Sequence, residues 1–269
     1  MKSRIPGNYQ YHALRKGNPI QRQWHKNKLN LIKYLDFLNQ NDVVLDAGCG
    51  SGNTLLEFAK KVQYIVGIDC NEECIKFLEQ KIDDLQIKNV LAKKLDLLEI
   101  SSLNLEFSRI IMTEVIEHLT EEYLEKMLRE MDKVINPDGK ILITTPNYKS
   151  LWPSIETILD FFKLLPKLED EQHIVKYDWK KLSEIIKQTN YRVITKGTLN
   201  WISPFIASFT PTLADKISYL EFSKVIFGNL LYVVLKRKIP RNSVSISYPK
   251  SSFGKKALEY LDLTPSLPH

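Results

Sequence analysis

The 269-residue chain predicts a doubly wound α/β fold built on a parallel sheet, and three observations lead there. Short apolar runs alternate with helical patterns from Val43 to Thr145. Each run is apolar throughout, as strands buried on both faces require. A glycine-rich turn also follows the first run directly, where a strand passes into a helix.

The elements follow in order. Residues 1–20 are polar and turn-rich (Pro6-Gly7, Gly17-Asn18-Pro19) and read as a loose lead-in. From Arg22, Leu31, Ile32, Leu35 and Leu38 share one helical face, which Asn39 to Asp42 ends. Val43-Val44-Leu45 is the first strand, and Thr54 to Lys61 the first helix of the alternation. Tyr64 to Ile68 is the second strand, and Cys74, Ile75, Leu78, Ile82 and Leu85 mark the next helix. A third strand starts at Val90 and a fourth covers Arg109 to Met112. Leu119 to Val134 is helical, Asn136-Pro137-Asp138-Gly139 is a turn, and Lys140 to Thr145 is the fifth strand. Beyond Pro146 come an apolar helix (152–165), a helix from Asp178 to Gln188, and strands at Tyr191–Lys196 and Leu230–Leu235. The expected organisation is a basic N-terminal helical segment over 1–40, a main domain over 41–238 and a weakly ordered tail over 239–269. The main domain holds a core at 43–147 and apolar insertions at about 148–176 and 197–227.

Composition narrows the class. With 43% apolar and 26% charged residues the chain is globular, and three cysteines build no disulfide framework. No stretch of some 18 apolar residues runs without a helix breaker, and no leader precedes Ile5-Pro6. A reduced, cytoplasmic protein is expected. The net charge of +6 is uneven: +7 over residues 1–40, +5 from Lys236 onward and −6 between. Basic ends suit phosphate-bearing partners or simply a solvated surface.

The chemistry starts at Asp46-Ala47-Gly48-Cys49-Gly50-Ser51-Gly52. Its glycines admit close backbone approach to a ligand, and the following helix offers unpaired N–H groups. The spacing differs from the Gly-x-Gly-x-x-Gly of dinucleotide sites. Asp69 ends the second strand, where a carboxylate can hold a ribose, and Asp96 follows the third. From Val43 to Asn147, about 105 residues, the chain resembles the class I S-adenosylmethionine-dependent methyltransferases. The resemblance implies a Rossmann-like seven-stranded sheet and S-adenosylmethionine as methyl donor. It also implies donor contacts from Asp46, Gly48, Gly50, Gly52, Asp69, Asp96 and Glu114, under an N-terminal cover. Ser108 departs from the family pattern, which usually has an acid there.

A second constellation, Glu114-Val115-Ile116-Glu117-His118, stands directly after the fourth strand. Two carboxylates and an imidazole can bind Mg²⁺, Mn²⁺ or Zn²⁺, or take a proton from a substrate hydroxyl. The spelling is similar to that of the ubiquinone-biosynthesis O-methyltransferase-like group, and also to that of small-RNA 2′-O-methyltransferases, whose metal set includes a later histidine. His173 stands near the expected place, so Glu117, His118 and His173 are the catalytic candidates and Glu114, Glu117, His118 and His173 the metal candidates. Cys49, Cys70 and Cys74 read as packing residues, as do His12 and His25, although His25 beside Trp24 could line the donor pocket.

These groups favour oxygen as the methyl acceptor. Trp152, Phe161 and Phe162 in one insertion, and Trp201, Phe205 and Phe209 in the other, suit a lipophilic or lipid-linked acceptor. They also suit peripheral docking on an anionic membrane, with Lys236, Arg237 and Lys238 near lipid phosphates. RNA is the rival acceptor, disfavoured by the acidic body, and a non-catalytic donor-binding scaffold is the third reading.

Overall fold

Strands that are apolar on both faces have to be covered on both, and that requirement organises this chain. The structure, a computed structural model, describes residues 6–150, 173–224 and 227–238. The strands are β1 (Val43–Ala47), β2 (Tyr64–Asp69), β3 (Val90–Lys94), β4 (Phe107–Thr113), β5 (Ile135–Pro146), β6 (Tyr191–Leu199) and β7 (Leu230–Arg237). They form one seven-stranded sheet in the order β3-β2-β1-β4-β5-β7-β6. Val44, Leu45, Ile65, Ile110, Ile111, Ile141 and Leu142 are fully buried along its middle.

The helices are α1 (Tyr9–Lys16), α2 (Pro19–Tyr34), α3 (Asn53–Phe58), α4 (Glu72–Asp84), α5 (Glu121–Val134), α6 (Trp179–Lys187), α7 (Ser203–Ile206) and α8 (Pro211–Lys224). Helix α5 shows why such segments form. Thr120 caps it by accepting from the Tyr123 N–H, and Leu124, Met127, Leu128, Met131 and Val134 recur on one buried face. Burying each is worth roughly 1.5–3 kcal/mol. No helix among the described residues is long and apolar enough to cross a membrane.

Three expectations change. The lead-in is not loose, because Tyr9–Lys16 forms α1 and the next helix begins at Pro19, capped by Asn18. The sheet is mixed: β1 to β5 pair in parallel, whereas β7 is antiparallel to both β5 and β6. Leu199 faces Leu230, so the chain reverses after β6 and returns beside it. The Asn136–Gly139 turn lies inside β5 as an irregularity, where pairing jumps from Phe107–Ile135 to Arg109–Lys140. Ser108 lacks an acid's charge but reaches one. Its hydroxyl lies 2.7 Å from Asp42 Oδ1 and accepts from the Val43 N–H, and Arg109 lies 3.5 Å from the same Asp42 oxygen. The expected apolar helix 152–165 and tail 239–269 fall outside the described residues.

The order of strands places the ligand crevice. β1 is flanked by β2 on one side and β4 on the other, and the crossover direction reverses there. Open α/β sheets bind ligands at that switch point, beyond the carboxyl ends of the strands. The excursion between β6 and β7 is held from beneath by Glu221, which is 1% exposed. Its carboxylate accepts from the N–H groups of Trp201, Ile202 and Ser203 at 3.3, 2.8 and 2.8 Å and from the Ser203 hydroxyl at 2.7 Å.

Glu221→Ala leaves four donors without that acceptor. At roughly 1–3 kcal/mol for a buried group left unsatisfied, the loss should reach on the order of 3 kcal/mol in urea denaturation. A loss below about 1 kcal/mol would show that water replaces the carboxylate.

Candidate active site

The turn after β1 is built for close approach. Gly48 and Gly50 have φ of +78° and +50°, a region where a side chain is strained. A Cβ on Gly48 would lie 2.6 Å from the Val115 side chain, so this turn touches the segment after β4. A Cβ on Gly50 would lie 2.1 Å from Gln10 Oε1. Gln10 belongs to α1, and its backbone carbonyl accepts from the Asn53 side chain at 2.9 Å. Helix α1 therefore lies against the glycine turn.

Two of the expected donor acids meet at this turn. Asp69 accepts from the Gly50 N–H at 2.9 Å and the Asn71 N–H at 2.8 Å. Burial pushes its pKa up against those bonds. Asp46 is 1% exposed and, among the described residues, its Oδ1 has no hydrogen-bond partner. Desolvation pushes it up to about 7; the Thr54 bond and Lys28 oppose this and the Asp69 charge adds to it. Asp96 stands after β3, where its Oδ1 accepts from the Leu98 N–H at 2.8 Å and from the Tyr123 hydroxyl. Gly52, with φ +77°, precedes α3.

Glu114 follows β4 in the left-handed region, φ +56°, an uncommon place for a side chain. Helix α2 holds it there. Lys28 forms an ion pair with Glu114 Oε2, and the Trp24 Nε1–H donates to Oε1 at 3.3 Å. Trp24 and Lys28 are four residues apart, hence on one helical face. Desolvation works against the charge on Glu114, but Lys28, His25 and both hydrogen bonds outweigh it and hold the carboxyl down at about 2. His25 is itself pushed down to about 3, by burial first and by Lys28 second.

The reactive face lies one turn on. Glu117 is 1% exposed and accepts from the Thr145 hydroxyl at 3.0 Å. Burial first, then the Glu114 charge, pushes it up to about 8. His118 and His173 have ring centroids 5.2 Å apart. One ligand atom each from Glu117, His118 and His173 lies within 4.8 Å of the others. Burial, with His118 second, holds His173 down at about 4. Glu114, expected as a fourth metal ligand, stands outside this group because Lys28 and Trp24 claim its carboxylate. The thiols of Cys49 and Cys74 are buried and shifted up by desolvation, consistent with packing.

Sequence reasoning missed Lys28 and Gln10. Lys28 and Trp24 at i and i+4 on a helix with buried polar residues were the available signal.

Residues 38–200 match a protein family described as "Methyltransferase domain". An uncharacterized protein of Rickettsia prowazekii is 32% identical over 103 residues, which is 38% of this chain and 41% of that protein. The chain thus spans well under half of that relative's length. A probable cobalt-precorrin-6B C(15)-methyltransferase (decarboxylating) of Methanobrevibacter smithii is 24% identical over 169 residues, 63% of this chain and 80% of that protein. Magnesium protoporphyrin IX methyltransferase from Synechocystis PCC 6803, solved with bound SAH, superposes with a TM-score of 0.58 at 16% identity. That likeness covers 86% of this chain and 94% of the other, and shows a shared fold.

Lys28→Met should strand the Glu114 charge. Removing one partner of a buried pair costs roughly 3–5 kcal/mol. Since the Glu114 side chain is 23% exposed, about 2–3 kcal/mol is expected at pH 7 after allowing for solvent screening. Glu114 has a depressed pKa, so the pair's contribution is full above the ordinary value of 4.5 and fades as pH falls toward about 2. Urea denaturation of both proteins across that range should show the gap closing with acid; a constant gap would mean that Lys28 acts by packing alone.

Proposed function

The chain belongs to the methyltransferase domain family, and we propose that this S-adenosylmethionine-dependent methyltransferase methylates an oxygen of a small lipophilic or lipid-linked acceptor. The reading rests on one juxtaposition. The glycine turn after β1 meets the segment bearing Glu114, Glu117 and His118, with Gly48 against Val115.

The crevice fits the donor. Asp46 Oδ1 is a buried acceptor without a partner among the described residues, suited to a polar group of the ligand. Asp69 retains lone pairs beyond those used by Gly50 and Asn71, and these accept ribose hydroxyls. Asp96 Oδ2 meets the adenine side, its other oxygen being taken by Leu98 and Tyr123. Bound there, the donor supplies an electrophilic methyl group on a sulfonium. Helices α1 and α2 cover the crevice through Gln10, Trp24 and Lys28 and exclude water.

On the reactive face, Glu117 holds a proton at neutral pH and His173 is a neutral imidazole. His173 accepts the acceptor's hydroxyl proton, while His118 and Glu117 orient the oxygen. In a metal-assisted form Glu117, His118 and His173 hold one divalent cation. Their ligand atoms lie within 4.8 Å of one another, and an inward shift of the side chains would bring each to roughly 2.0–2.2 Å from one ion. Such an ion lowers the pKa of a bound hydroxyl.

The acceptor class is read from the excursion carrying α7 and α8. Trp201, Ile202, Phe205, Phe209, Leu213 and Leu220 are exposed there, Phe209 by 86%. Of the acids over 197–224, Glu221 is buried and Asp215 pairs with Lys26 at 2.6 Å. Lys216 is exposed beside Leu213 and Leu220 on α8. An apolar face with a cation and no unpaired acid suits an anionic membrane surface, on which a cytoplasmic enzyme docks peripherally. Lys236, Arg237 and Lys238 do not supply its charge, contrary to expectation. Lys236 pairs with Asp138, Arg237 is buried against Asp132, and Lys238 donates to the carbonyls of Lys187 and Thr189.

Labelled donor incubated with a prenylated catechol and, separately, with total RNA tests the acceptor. Label is expected in the catechol; label in the RNA alone overturns the lipophilic reading. Asp69→Ala should weaken binding of S-adenosylhomocysteine by on the order of 1–3 kcal/mol, the worth of hydrogen bonds to a charged acceptor. Unchanged calorimetric affinity would remove Asp69 from the donor site. Loss of turnover with a chelator, restored by Mg²⁺, Mn²⁺ or Zn²⁺, selects the metal-assisted form.

Sedimentation with vesicles tests the docking face. Binding should require anionic lipid, weaken as salt rises and fall when Phe205 and Phe209 become serine. Protein that stays in the supernatant with every lipid composition would leave the exposed face without this role.

A further inference from the structure

Tyr148 lies two residues beyond β5 and enters none of the roles above. Its hydroxyl lies 2.5 Å from His173 Nδ1, and the two rings meet edge to face with centroids 6.0 Å apart. The surrounding backbone is tied together. The Tyr148 N–H donates to the Tyr177 carbonyl at 2.9 Å and the Val175 N–H to the Glu117 carbonyl at 3.1 Å. The Tyr177 hydroxyl donates to the Ile116 carbonyl at 3.4 Å. The stretch from His173 to Tyr177 is thereby joined both to the segment after β5 and to the turn bearing Glu117.

We propose that Tyr148 is a positioning residue that selects the reactive nitrogen of His173, holding Nδ1 so that Nε2 addresses the acceptor. A neutral imidazole carries one proton, on either nitrogen. In the proposed arrangement Nδ1–H donates to the Tyr148 oxygen, which leaves the Nε2 lone pair free to accept. A proton-accepting role needs one tautomer and one ring orientation. Without a fixed partner at Nδ1, both tautomers and both ring flips compete. Hydroxyl and imidazole come from segments 25 residues apart, and the three tying bonds keep them in register. Outer partners that orient functional histidines in this way typically carry a roughly 10- to 100-fold effect when removed.

This inference deepens the reading of His173 as the proton partner, and its test separates the two. Long-range ¹H–¹⁵N correlation spectra of the labelled full chain report the two ring nitrogens, with His173→Gln identifying the signals. The wild type should show His173 protonated at Nδ1 and unprotonated at Nε2; the reverse tautomer would overturn the proposal. In Tyr148→Phe the two nitrogen shifts should move toward each other as the tautomers mix, while S-adenosylhomocysteine affinity stays within about twofold, about 0.4 kcal/mol. Identical nitrogen shifts in both proteins would overturn the proposal. Should the phenylalanine variant fail to fold, the wild type decides alone, because averaged His173 nitrogens there also overturn it. A wild type that does not bind S-adenosylhomocysteine defeats the donor-site reading instead, whatever the tautomer.

Discussion

The ion pair between Lys28 and Glu114 is the contact on which the site depends. Glu114 emerges from β4 with a left-handed backbone, and its neighbour Val115 packs against the glycine turn. A carboxylate in so desolvated a place has to be neutralised or paired. Helix α2 pairs it by carrying Lys28 and Trp24 down on one face. The need to satisfy one acid at a strand end therefore brings the N-terminal helices over the crevice.

The same pair explains why two glutamates three residues apart behave oppositely. Glu114, next to a cation, is held ionised at about 2. Glu117 is more deeply buried and feels the Glu114 charge, so it rises to about 8. One carboxylate is held ionised and the other keeps its proton to higher pH.

Helix α2 also faces the other way. Gln23 and Lys26 reach Asp215 of α8 at 3.0 and 2.6 Å, and Asn27 donates to Asn200 and Ser203 at 2.7 and 2.9 Å. The buried carboxylate of Glu221 fastens the same segment. One helix thus connects the catalytic crevice to the excursion that exposes Phe205 and Phe209.

Local pattern by itself determined the strands, their alternation with helices, the glycine turn, and the strand-end acids Asp69 and Asp96. These features are legible because each depends on neighbours within a few residues: hydrophobic period, turn chemistry, or a residue's place at the end of a run. The same pattern placed Glu117, His118 and His173 as candidates, the first two by adjacency and the third by resemblance alone. Tertiary structure decided the rest. It assigned Glu114 to Lys28 rather than to a metal group, tied Lys236, Arg237 and Lys238 into local contacts, and let Ser108 reach Asp42 in place of an acid. It reversed β7, and it set Tyr148 against His173. Each of these outcomes is a pairing between residues 25 or more apart in the chain, or a competition among several possible partners. A charge's partner is fixed by which buried group comes within reach once the sheet has closed, and no periodicity in the sequence encodes that distance.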